Sequence, residues 1–386
     1  MKIINAKVFI DGKFHDVEVQ FKDGFITNIG KDLVDDEVLD AKGQYLYAGI
    51  VDTHCHGGFL RSFGYEPKTS NNGTVKEQAE YVCARLPEFG VTTVFPTLAS
   101  DLGTYEDELE AVRIIREIRP TVKGAKPLKF HFEITYPSLD RYLPDGEVHQ
   151  LPSIEHTDWL VDNDYSDVAF ICIAPDLPGS MEWLDYVVSK GVQPEVGYTK
   201  ATAETIIEAA DHGLCHCSHI FNGYLPMHHR ESSPAVGILL DDRIKAQITM
   251  DGYHVAPAWV KLVIKTKGIE NCYGLTDLSS MSGLPEGLNV LPDGTTVLTK
   301  DGYNWRSDGH ILSGNMTMDQ IMLAAKNKVG LTMEEIGSLF TENPAKCTGL
   351  TDRGKIEVGR MADFVIMDED YHVLETIIDG ETYYKA

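Results

Sequence analysis

The chain has 386 residues, with 59 Asp and Glu against 34 Lys and Arg, for a formal net charge of -25 at pH 7. That charge excludes nucleic acid and anionic membrane as expected partners, and an anionic ligand would need a local basic group to receive it. Hydrophobic residues make up 43%, core enough for a large domain with a smaller one beside it, and no run of 18 apolar residues reads as a membrane span.

The opening residues pass straight into strand-like alternation without a signal-peptide pattern. The seven cysteines are scattered and read as reduced thiols, so a cytoplasmic location is expected. Residues 1–48 read as short strands: 3–10, then Asp11-Gly12, then 17–21, then Asp23-Gly24. Asp-Gly between alternating runs is a hairpin signal. An apolar run then ends in His54-Cys55-His56-Gly57-Gly58. Helical spacing follows at 75–89, with Ala79, Val82, Cys83 and Leu86 on one stripe, and again at 105–118, with Leu109, Val112, Ile115 and Ile118. Short apolar runs at 92–96, 130–133, 168–173, 246–250 and 272–276 read as strands. Residues 355–386 are β-rich like the start. This order predicts an α/β fold: a (β/α)8 TIM-like barrel over 49–354, with a small β-sandwich domain built from both termini, 1–48 and 355–386.

In such a barrel the chemistry gathers where strands end. On an extended strand, residues two apart point the same way, so His54 and His56 can reach one metal ion. Glu133, His219 and Asp277 also fall at expected strand ends. Imidazole and carboxylate together suit a divalent metal such as zinc. Singly each residue has an ordinary reading: Glu133 as a surface carboxylate, His219 as a hydrogen-bonded core residue, Asp277 as a helix cap. Jointly the five make a metal set at a barrel mouth.

The H-x-H after a first barrel strand, the two-ended β-domain and the late Asp277 resemble the amidohydrolase superfamily. Within it, the segments 48–58, 131–133, 218–222, 250–255 and 275–277 resemble the N-acetylglucosamine-6-phosphate deacetylase family. The tail from Glu342 to Asp363 is similar to the superfamily more widely. The resemblance implies a metal-dependent amide hydrolase that frees acetate from an N-acetylhexosamine 6-phosphate. It implies His54, His56, Glu133 and His219 as ligands, and Asp277 as the base that takes a proton from water and returns it to the leaving amine. It implies His254 near the reacting group, and Asn222, Gly223 and Arg230 around the phosphate. Guanidinium suits phosphate, and Arg230 is the local basic group the acidic composition requires. A homodimer is implied too, with Arg230 reaching across its interface.

The chain departs from that pattern at Tyr198, where the family has a histidine ligand of a second metal site, and at Ile134-Thr135, where it has Gly-Pro. The following loop, 143–149, is also poorly matched. A single metal on His54, His56, Glu133 and Asp277 is therefore the expected arrangement. The alternatives are an amidohydrolase acting on another N-acyl or cyclic amide substrate, and a non-catalytic sugar-phosphate-binding relative.

Overall fold

A computed structural model describes residues 1–66, 72–99, 104–139, 150–307 and 309–386. Eight parallel strands pair in chain order: β1 (Ile50–Cys55), β2 (Val91–Ala99), β3 (Phe130–Tyr136), β4 (Val168–Ile173), β5 (Glu195–Val196), β6 (His216–Cys217), β7 (Lys245–Thr249) and β8 (Cys272–Leu275). The ring closes by a parallel bridge between Cys55 and Leu278 and by the Asp277 N–H donating to the His54 carbonyl at 3.1 Å. One helix follows each strand: α1 (Val75–Arg85), α2 (Tyr105–Ile118), α3 (Ile154–Leu160), α4 (Ser180–Ser189), α5 (Ala203–Asp211), α6 (Pro234–Leu240), α7 (Pro257–Lys267) and α8 (Met318–Ala324). The expected (β/α)8 barrel is present.

The local causes are readable. Thr74 and Thr104 open α1 and α2 with capping boxes, each threonine side chain and the acid three residues on satisfying a backbone N–H in turn. The apolar stripe of α2, from Leu109 to Ile118, is buried. The first expected helix ends early, and Leu86–Phe89 tightens to a 3-10 turn, because Pro87 has no N–H to continue an α-ladder. The strand expected at 92–96 runs on to Ala99.

Both termini share a six-stranded sheet: Lys7–Ile10, Lys13–Asp16 and Tyr45–Ala48 pair with Phe364–Met367, Val373–Ile378 and Glu381–Lys385. The Asp11-Gly12 turn has both residues at positive φ, 50° and 74°, the type I′ geometry that fits a twisted two-residue hairpin. A four-stranded sheet from residues 2–40 packs beside it, and Val8, Val19, Phe21, Leu46, Phe364 and Ile377 fill the space between. Between β8 and α8 lies an antiparallel four-stranded sheet, Gly287–Gly314, that the sequence reading does not anticipate. Among the described residues no helix is long and apolar enough to cross a membrane. All seven cysteines are free.

Candidate metal centre at the barrel mouth

The end of β1 delivers His54 and His56 to one point, their Nε2 atoms 3.3 Å apart. From β3 comes Glu133, whose Oε1 lies 3.3 Å from His54 Nε2 and whose Oε2 lies 3.0 Å from His56 Nε2. Asp277, one step beyond Thr276 after β8, places Oδ1 at 3.4 Å from His54 Nε2 and 3.6 Å from His56 Nε2. His219, after β6, sits 2.7 Å from Glu133 Oε1. All five residues expected from the sequence converge, and each of the triads His54–Glu133–His219 and His54–His56–Asp277 has its ligand atoms within 4.8 Å of one another.

Asp52 holds the seam where the barrel closes. Its carboxylate accepts Thr276 Oγ1–H at 2.5 Å, and the Thr276 and His54 backbone N–H groups point at its other oxygen. Burial pushes its carboxyl up to about 6. Backbone strain collects around the centre: Ile134, Tyr198, Phe221 and Asp277 all have φ between 52° and 79°. For a β-branched residue such as Ile134 that conformation is unfavourable and persists only where the surroundings enforce it.

The two departures from the resemblance meet in space. Ile134 and Tyr198 pack together with Cys172. The Tyr198 hydroxyl donates to Glu133 Oε1 at 2.5 Å and lies 3.0 Å from His219 Nε2. Glu133 Oε1 is thus occupied by Tyr198 and His219, while Oε2 faces His56. The loop 143–149 lies outside the described residues.

A divalent cation fits this donor set. Three imidazoles and two carboxylates face one another with no Lys or Arg bonded to them among the described residues, and the Nδ1 atoms of His54 and His56 have no hydrogen-bond partner. Without a metal, protons do the neutralising. Burial pushes His219 down, but the Glu133 carboxylate beside it pulls it further up, to about 9. His56 is raised in the same way by Asp277 and Glu133. Burial disfavours the Glu133 and Asp277 carboxylates, but neighbouring imidazoles hold both below the usual range. Metal ligation would exchange those protons for one ion.

The residues expected to bind substrate are more dispersed. His254 donates Nδ1–H to Asp251 at 2.6 Å and borders a cavity of about 340 Å³ lined by Phe221, Tyr224, Met227 and Trp259. The Asn222 carbonyl accepts His219 Nδ1–H at 3.1 Å, and its side-chain amide nitrogen is buried with no hydrogen-bond partner among the described residues. Gly223, at φ 72°, passes so near Tyr198 that a Cβ would stand 3.0 Å from its ring. Arg230 is exposed on the loop after Tyr224 and bonds to none of the metal-centre residues. Sequence reasoning missed Glu195, a carboxylate buried inside the barrel and hydrogen-bonded to His131 and Gln247; its two-residue strand leaves no periodic signal.

A family model described as the amidohydrolase family matches residues 45–383. The chain is 26% identical to an N-acetylglucosamine-6-phosphate deacetylase of Lysinibacillus sphaericus over 98% of its own length and 95% of the relative's. It is 29% identical to the deacetylase of that name in Bos taurus, covering 92% and 87%. Among solved structures, that of the Pasteurella multocida N-acetylglucosamine-6-phosphate deacetylase superposes with a TM-score of 0.87 at 25% identity, covering 99% of this chain and 98% of that one. The Thermotoga maritima enzyme superposes at 0.82 with 26% identity over the whole of both chains.

Proposed function

We propose that this chain, which belongs to the amidohydrolase family, removes the acetyl group from N-acetylglucosamine 6-phosphate, giving acetate and the amino sugar phosphate. The observation that carries the reading is the convergence of His54, His56, Glu133 and Asp277 on one point at the barrel mouth. Relatives bearing that activity's name align along nearly the entire chain. We assign one divalent ion per chain, zinc by its donor set, to His54, His56, Glu133 Oε2 and Asp277. Tyr198 and His219 take up Glu133 Oε1, which argues against a second full ligand set.

When bound there, a divalent ion polarises an amide carbonyl and lowers the pKa of water. Asp277 is the group of the cluster open to solvent, its side chain 37% exposed against 3% for Glu133. Its carboxylate takes the proton from the attacking water and passes it to the departing amine nitrogen. His254, fixed by Asp251, borders the cavity that receives the sugar. The unpartnered amide of Asn222 offers a buried donor to the same substrate. Arg230 stands exposed with no hydrogen bond to the metal-centre residues, which suits a cation that serves a phosphate across a homodimer interface, from Arg230 of the partner subunit. A cytoplasmic setting accords with seven unpaired cysteines.

The test is acetate release from N-acetylglucosamine 6-phosphate by the metal-loaded protein, with elemental analysis alongside. Release that stops on chelation and returns with about one equivalent of divalent ion is expected. No release from this substrate by fully loaded protein would overturn the deacetylase reading, and two full equivalents would overturn the single-ion assignment.

A further inference from the structure

We infer that Glu195 is a positioning residue for the metal ligand His54, acting through His131. The inference rests on the metal-site reading above and not on the identity of the substrate.

Layers of side chains from alternate strands fill the inside of such a barrel, and branched aliphatics usually supply them. Here the odd-numbered strands supply His54, His131, Glu195 and Gln247 in an unbroken chain of contacts. The His131 ring packs edge-on against His54, centroids 4.4 Å apart and planes at 89°. His131 Nε2 makes a short hydrogen bond with Glu195 Oε1. Gln247 donates to the other oxygen, Glu195 Oε2, at 2.7 Å. His131, Glu195 and Gln247 are each 0% exposed. A buried carboxylate in that position is costly, since burial disfavours its charge and an aliphatic residue would fill the space.

What the carboxylate does follows from what His54 lacks. A metal-ligating histidine ordinarily donates its second ring N–H to a carboxylate or carbonyl, which fixes the ring's orientation. His54 Nδ1 has no such partner among the described residues. Its ring is steered by packing, and the His131 ring lies against it. A ring held only by packing is a good guide only if it cannot itself turn. His131 is held at both nitrogens: Glu195 takes Nε2, and the Thr97 hydroxyl lies 3.2 Å from Nδ1. That hydroxyl is fixed in turn, accepting the Cys55 backbone N–H at 2.9 Å, between the two ligating histidines. The hydrogen bonds that orient His54 are thus displaced one residue outward, onto its neighbour.

Chelator competition on the Co(II)-loaded protein tests this. It gives the affinity, and the visible absorption of Co(II) reports the ligand geometry. Glu195→Gln keeps the volume and removes the charge. It is expected to leave the metal-free protein folded, to weaken Co(II) binding by about 10–100-fold, the usual cost of losing an outer partner, and to alter the absorption bands. Glu195→Asp, which keeps a carboxylate on a shorter arm, is expected to recover part of the loss. Should Glu195→Gln fail to fold, the near-isosteric Thr97→Val releases the other nitrogen of His131 and is expected to weaken binding in the same direction. A folded Glu195→Gln protein with wild-type affinity and spectrum would overturn the inference and leave the metal site standing. Failure of the wild-type protein to bind Co(II) at all would overturn both.

Discussion

Asp277 holds a position at residue scale that no other member of the cluster shares. Its Oδ1 lies within 3.6 Å of both His54 and His56, yet more than a third of the side chain is open to solvent. A proton carrier needs both properties. Asp277→Asn keeps the shape and one oxygen but cannot take up a proton, so deacetylation is expected to fall by about 10²–10⁴-fold with most of the metal retained. An Asn variant that turns over at the wild-type rate would remove Asp277 from the role. Tyr198 makes the complementary case. Its hydroxyl lies 2.5 Å from Glu133 Oε1 and 3.0 Å from His219 Nε2, two groups to which the family resemblance assigns a second ion. Tyr198→His, combined with Ile134→Gly to relax the strained neighbour packed on it, is expected to raise the bound metal from one equivalent to two by elemental analysis. A double variant that still holds one ion would mean that Tyr198 is not what limits the site.

At the scale of elements, what could be read from sequence was what has a period. The paired histidines stand two apart where β1 ends, His54 on the strand and His56 one residue past its last residue, Cys55. The stripe of α2 repeats at helical spacing, and the structure gives the expected bounds. The strands that carry Glu195 and His216 are two residues long, and a two-residue ladder has no alternation to detect. Glu133 was legible as a member of the cluster, but the turn at Ile134 just beyond it was not, because a β-branched residue at positive φ runs against local preference. The inserted sheet at Gly287–Gly314 was absorbed into the expected barrel alternation, since its strands are short and its turns ordinary. The loop from Leu225 to Glu231 shows a different limit: its residues are exposed, and nothing within one chain reveals what Arg230 meets. Arg230→Ala is expected to raise KM for N-acetylglucosamine 6-phosphate by about 10–100-fold, the equivalent of one charge-assisted hydrogen bond of roughly 1.5–3 kcal/mol, with kcat little changed. KM for unphosphorylated N-acetylglucosamine should stay put. Equal losses on both sugars would detach Arg230 from the phosphate.

The whole molecule depends on a joint between its two β-rich ends and the barrel. Arg353 donates to Asp363 at 2.5 Å and to Asp379 at 3.1 Å, and Asp363 also accepts the Asp379 backbone N–H at 2.7 Å. The Asp363 carbonyl takes the Gly49 N–H at 2.8 Å, just where the chain enters β1. Burial pushes the Asp363 carboxyl up to about 6, against the pull of Arg353. A folded-state pKa above the unfolded value, near 3.9, means that protonation favours the fold. The contribution is full below about pH 4 and is lost as pH rises through about 6. Arg353→Met removes the only cation bonded to Asp363 among the described residues and raises that carboxyl further. At pH 8 the fold must then hold an unpaired buried carboxylate, or a proton taken up against the solution. Denaturant unfolding should show a loss of about 3–5 kcal/mol there and a clearly smaller one at pH 5, where the Asp363 carboxyl is protonated and Asp379 keeps Lys126 at 3.1 Å. Converting Asp363 as well, in Arg353→Met with Asp363→Leu, should return part of the stability at pH 8, because it removes the orphaned charge itself. A loss of the same size at both pH values would mean that Arg353 supports the joint by packing alone and that the buried charge is compensated elsewhere.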